Sequence, residues 1–155
     1  MARLVRTSLL VLFAAASLPA AEPLLGTWKL TSQVVNNQKM TTEDLTLRIY
    51  KAGDGLEFAY SVPLNNVHFV SARFTSVHLD GSAADVQDAQ GKKVGTVKIT
   101  KSGPSEYKAV IEGPNRPTAS AKMTVSADGK TLISESNSKM SGKGLTTTLQ
   151  TFSRY

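Results

Sequence analysis

The sequence predicts an all-β protein, a single antiparallel up-and-down β-barrel of about eight to ten strands without lid helices. Three observations lead there. Short runs carry apolar residues at every second position, the period of a strand with one face inward and the other toward water. Glycine-containing turn pairs separate the runs at short intervals. Beyond residue 21 no stretch sustains a 3.6-residue apolar period, so helices are few or absent.

The runs follow one another in order. Leu45, Leu47 and Ile49 alternate first, then Leu56, Phe58, Tyr60 and Val62, then Val70, Ala72 and Phe74, and later Val97 and Ile99. The period continues through Tyr107, Ala109 and Ile111, through Ala119, Ala121, Met123 and Val125, and into Leu145–Leu149. Gly53-Asp54-Gly55, Asp80-Gly81, Gln90-Gly91, Ser102-Gly103-Pro104 and Asp128-Gly129 supply residues that tolerate the positive φ of tight turns. A meander this long hides its edges by closing or by folding into a sandwich, and the lack of long crossover connections favours closure. An outer-membrane barrel fits poorly. The outward positions are Lys, Thr, Ser and Glu, no aromatic girdles recur, and Thr151 and Ser153 interrupt the terminal apolar alternation.

Residues 1–21 differ from the rest. Arg3 and Arg6 precede an uncharged stretch, Thr7 to Ala21, with an apolar run from Leu9 to Ala16 and a small-residue end, Ser17-Leu18-Pro19-Ala20-Ala21. The run falls short of the ~20 residues a membrane span needs, so it reads as a signal peptide cleaved near Ala20 or Ala21. Residues 22–155 are then the barrel domain, secreted or periplasmic. The chain contains no cysteine, which excludes disulfides, thiol catalysis, thiolate metal sites and a lipidated cysteine together. A domain of about 134 residues buries enough apolar area to stand without such staples.

The formal charge of +6 is unevenly spread. Residues 22–90 hold five Lys or Arg against eight Asp or Glu, and residues 91–155 hold eleven against four. Lys92, Lys93, Lys98, Lys108 and Lys122 read best as the solvated faces and edges of strands, which keep sheets soluble. An anionic surface or partner is the alternative reading. No nucleic acid partner is expected, because no aromatic stacking platform is interleaved with the basic residues.

Gly26-Thr27-Trp28-Lys29-Leu30 holds the chain's only tryptophan. At the head of a first strand it resembles the Gly-x-Trp signature of the calycin superfamily, the lipocalins and fatty-acid-binding proteins. The wider layout, with "ADGKTL" at residues 127–132 and a Thr-rich strand near the end, is similar to small secreted bacterial lipocalin-like proteins of unassigned activity. The resemblance implies that Gly26 and Trp28 are structural, Trp28 plugging one barrel end, with Arg154 crossing that end beside it. It also implies departures. Val35 to Glu43 is too short for the two helices that fatty-acid-binding proteins insert there and reads as a loop, and no helix fits after Phe152. Where those proteins carry Arg-x-Tyr to hold a ligand carboxylate, this chain has Gln150-Thr151-Phe152.

Enzymatic chemistry finds little support. His68 and His78 lie ten residues apart in one β-rich stretch, which in extended form separates them by ~33 Å and denies them a shared metal. A single histidine holding haem is a minor alternative to an exposed strand histidine. Asp85 and Asp88 fall in a turn-rich segment and read as turn caps. No cofactor is called for, and no serine or threonine has an identifiable base.

Three functional classes remain. The first is a barrel holding a small hydrophobic or weakly polar ligand, with Phe58, Tyr60, Phe74, Tyr107, Met123, Gln150 and Phe152 as pocket candidates. Small residues expected to point inward, Ala119, Ala121, Ser134, Ser136, Thr146 and Thr148, leave volume for it. The second is a rim module binding a protein partner, for example an exported protease, through Asn36, Asn37, Asn65, Asn66 and residues 115–117. The third is a structural envelope protein. A monomer is expected in each case.

Overall fold

The computed structural model describes residues 21–41, 44–65, 67–114, 118–139 and 144–155. The predicted leader up to residue 20, and the rim candidates Asn66 and 115–117, lie outside them.

Eleven strands follow in chain order: β1 (Gly26–Val35), β2 (Gln38–Met40), β3 (Thr46–Ala52), β4 (Gly55–Leu64), β5 (Val67–Val77) and β6 (Asp80–Asp88), then β7 (Lys93–Lys101), β8 (Glu106–Glu112), β9 (Thr118–Val125), β10 (Thr131–Lys139) and β11 (Leu145–Arg154). From β3 to β11 each strand pairs antiparallel with the next, and β1 pairs with both β3 and β11. Ten strands therefore close into an up-and-down barrel, and β2 is an eleventh folded back on β1. No helix occurs among the described residues. Closure leaves few free edges, as anticipated for a long meander.

Two segments differ from expectation. Part of the predicted loop from Val35 to Glu43 forms a hairpin, because Asn36 and Asn37 take φ of 49° and 65° and turn β2 back onto Gln33–Val35. Asp80-Gly81 lies at the start of β6, Gly81 keeping a positive φ of 88°, and Asp85 lies on that strand's outer face, its carboxylate 2.5 Å from Lys93 Nζ. Asp88 does serve a turn, its Oδ1 accepting from the backbone N–H groups of Gln90 and Lys92.

The buried residues gather at one end. Trp28 and Leu30 on β1, Leu47 and Ile49 on β3, Leu56 and Phe58 on β4, Phe74 and Val77 on β5, and Ala84 and Val86 on β6 meet there. Val97, Ile99, Tyr107, Ala109, Met123, Val125, Leu132 and Phe152 complete the cluster from the other side. All belong to the half of the barrel where β1 begins and β11 ends. Call this the closed half; the other holds the β4–β5, β6–β7, β8–β9 and β10–β11 connections.

Candidate functional site

The closed half shows why the opposite one is the candidate site. The chain before β1 runs beneath the barrel and inserts Leu24, which is fully buried. Trp28 Nε1 donates to the Leu24 carbonyl at 2.9 Å. The Arg154 guanidinium lies 4.2 Å from the Trp28 ring centroid, a cation–π contact, and donates to the carbonyls of Pro23 at 2.8 Å, Leu25 at 2.6 Å and Gly129 at 2.5 Å. Gly26 is required here. Its φ is 146°, and a Cβ on it would stand 2.5 Å from Arg154 Nη1. Glu22 finishes the seal by accepting from the Tyr107 hydroxyl and pairing with Lys101 at 2.8 Å. Burial, with the Glu22 carboxylate second, pushes the Tyr107 hydroxyl well above the usual tyrosine range.

Halfway up the barrel the inward residues change character. On β10 buried Leu132 gives way to Ser134, Ser136 and Ser138, and on β11 buried Phe152 gives way to Gln150, Thr148 and Thr146. On β9 buried Val125 and Met123 give way to Ala121 and Ala119. These upper residues are only half-buried although they point inward, while their outward neighbours are exposed. Short side chains around a wide wall leave room, and the half-exposure marks an open cup above a filled base.

A bulge brings an unforeseen residue into the cup. The register of β1 on β11 shifts between Leu30 and Ser32, so Gln33, not Ser32, stands opposite Gln150. Gln150 Nε2 donates to Gln33 Oε1 at 2.9 Å. Above Leu30 the wall between β1 and β3 is unpaired among the described residues, and a cleft of about 290 Å³ lies there, lined by Leu30, Gln33, Met40, Thr41 and Leu45. A second depression of about 270 Å³ at the rim is lined mainly by the outward Val34, Glu135, Asn137, Thr147 and Leu149 and only touches Ser136 and Thr148.

The predicted pocket residues divide by level. Phe58, Phe74, Tyr107, Met123 and Phe152 lie in the packed base. Tyr60 and Gln150 lie one step higher, half-buried, with Tyr60 stacked 5.3 Å from Phe74 in a tilted pair. Loss of solvent pushes the Tyr60 hydroxyl up to about 12. That hydroxyl makes no hydrogen bond to a described side chain or backbone group. Asn36 and Asn37 are exposed at the rim, Asn36 accepting from the Thr147 amide at 2.9 Å, and Asn65 is exposed at the β4–β5 tip.

Charge is kept outside. Arg48 points outward over the Tyr50 ring at 5.4 Å, and Arg73 pairs at 3.0 Å with Glu57, which also accepts from the Tyr50 hydroxyl at 2.5 Å. A surface depression of about 290 Å³ near Arg48, lined also by Lys29 and His68, lies on this outer wall. Among the described residues of the upper half, Asp88 alone combines a charge with an inward phase, and its Oδ1 is engaged by its turn. His68 and His78 stand at opposite ends of β5, and no group of three His, Asp or Glu among the described residues is placed to hold a metal.

Comparison with solved structures supports the architecture. The zebrafish ileal bile acid-binding protein complexed with cholic acid superposes with a TM-score of 0.55, over 86% of this chain and 99% of that one, at 18% identity. The fold is calycin-like. A further structure, EF1p2_mFAP2b bound to DFHBI, aligns over 88% of this chain and 97% of its own, with a TM-score of 0.48 and 13% identity. No protein-family model and no curated protein matches the sequence. Within the calycin-like barrel, the segment between its first two wall strands is the β1–β2 hairpin rather than a pair of helices.

Proposed function

We propose that the protein is an exported binding protein that holds a small, neutral, apolar or weakly polar molecule in the upper half of its barrel. One observation carries the reading: the inward positions change from large and apolar to small, uncharged and half-exposed at one level, on three adjacent strands. Tyr60, Gln33 and Gln150 form the floor of that space, with Phe74 and Met123 beneath them. Binding of cholic acid by the similar ileal bile acid-binding protein agrees with this use of the fold.

The ligand is neutral because the cup offers amides and hydroxyls instead of fixed charge. An ionised carboxylate entering it loses several kcal/mol of solvation, and a glutamine returns only a hydrogen bond. Export rests on Arg3, Arg6 and the apolar run that follows; the mass of protein recovered outside the cytoplasm tests it, with loss of residues 1–20 or 1–21 expected. Binding is tested by displacement of a fluorescent apolar probe at neutral pH. A long-chain alcohol or methyl ester is expected to displace it better than the matching acid. Failure of every apolar compound to bind would remove the reading.

A further inference from the structure

One sector of the cup's rim carries several exposed apolar side chains, interspersed with Asn36, Asn37 and Asn65. Five of the nine large hydrophobic side chains exposed among the described residues sit there: Met40 on β2, Leu64, Val67 and Phe69 at the β4–β5 tip, and Leu145 at the start of β11. Val67 is 67% exposed, Leu145 59% and Leu64 57%, and Leu64 and Val67 pair at the top of the alternation that carries Phe58 and Tyr60, so they stand bare at the mouth itself. The barrel order makes them neighbours: β11 pairs with β1, β1 carries β2 beside β3, and β3 leads to β4 and β5. The opposite side of the rim is polar, with Gln90, Gly91, Lys92 and Glu112. Solvated proteins rarely leave so much apolar surface together without a use.

Charge selects the occupant. Lys39 and Lys139 flank the sector and Lys92 stands across the mouth, all exposed and none in an ion pair with a described residue. Asp44, the acidic group next to this sector among the described residues, is paired with Lys29 at 2.9 Å. Apolar tips ringed by unpaired lysines match a surface of anionic headgroups over hydrocarbon, where the tips enter and the lysines meet phosphate. We propose that this sector is a membrane-docking face, which seats the mouth of the barrel on an anionic lipid surface.

Sedimentation with phosphatidylglycerol–phosphatidylcholine vesicles, using delipidated protein without its leader, tests the face. The native protein is expected to bind these vesicles and to bind pure phosphatidylcholine more weakly. Replacing Leu64, Val67 and Phe69 together with serine should lower vesicle affinity by more than about tenfold, with the circular dichroism spectrum unchanged. Lys39→Glu with Lys139→Glu should weaken binding to the anionic vesicles alone. Lys98→Glu with Lys108→Glu, on the barrel wall away from the rim, should change nothing. Equal loss from the wall pair would overturn the assignment in favour of diffuse electrostatics. So would a native protein that ignores vesicles, or one that forms a dimer abolished by the serine variant, which would make a second copy the occupant.

Discussion

The two halves of the barrel are built from the same ten strands and differ in what those strands send inward. Below, Trp28, Phe58, Tyr107 and Phe152 are fully or almost fully buried; above, β9, β10 and β11 send in only Ala, Ser, Thr and Gln. On β9, β10 and β11 the backbone ladders continue through both levels, so there hydrogen bonding holds the wall while side-chain burial stabilises only the base. Confining the core to one end lets the other remain open, because each strand is already anchored below.

The largest test removes the plug. Trp28→Ala deletes the biggest buried side chain and strands both the Leu24 carbonyl bond and the Arg154 stacking. A loss of about 3 to 5 kcal/mol by denaturant titration is expected. A loss below about 1 kcal/mol would show that the closed half does not depend on it.

Alkali probes the boundary between the halves. In the folded protein Tyr60 keeps its proton to about 12, against 10.0 for the free group. The native state thus holds that proton more tightly than the unfolded chain, so this contribution is whole below pH 10.0 and lost as pH rises toward 12. The decline is on the order of 3 kcal/mol for Tyr60. Tyr60→Phe should reduce the slope measured by denaturation at successive pH values and leave the part due to Tyr107. An unchanged slope would mean that the Tyr60 hydroxyl ionises as freely as in water.

Much of the closed half was legible in the sequence, because alternation of large apolar residues is what a filled barrel base requires. The open half was harder to read. The pocket candidates Phe58, Phe74, Tyr107, Met123 and Phe152 lie in the packed base, because large apolar side chains are the ones that close-pack. Gln33 has no sequence sign, because simple alternation from Trp28 and Leu30 points Ser32 inward; only the bulge reverses the phase. The β1–β2 hairpin had a local sign in Asn36-Asn37, a pair that tolerates two positive φ values. β6 was hidden by small Ala84 inside and by Asp80, Asp85 and Asp88, which resemble turn chemistry.

Filling the cup separates ligand binding from stability. Ala121→Leu with Ser136→Leu places two larger side chains on adjacent, directly paired inward positions above the core. Stability should move by less than about 1 kcal/mol, since the site has room, while affinity for the apolar probe should fall more than about tenfold. A stability loss above about 2 kcal/mol would show that the upper half is packed and that the contrast between halves is false.

The smallest expected effect is the most specific. Gln150 occupies the inward position where the resemblance to fatty-acid-binding proteins would place an arginine, and its amide is paired with Gln33 across the β1–β11 junction. Arg48 and Arg73, the two residues able to reverse the argument had their strands slipped by one position, both face outward, Arg73 held by Glu57. Gln150→Arg therefore introduces a cation to a cup that otherwise lacks one among its described inward residues, beside an amide able to accept from it. The preference for a long-chain ester over its acid should shift toward the acid by about fivefold, the scale of a partly solvated ion pair. The bulk of the new side chain would lower affinity for both ligands alike, so the ratio is the quantity to measure. If the unmodified protein already prefers the acid and Gln150→Arg leaves that ratio untouched, ligand and Gln150 do not meet. The bound molecule then lies elsewhere on the barrel, and the depression near Arg48 on the outer wall becomes the place to look.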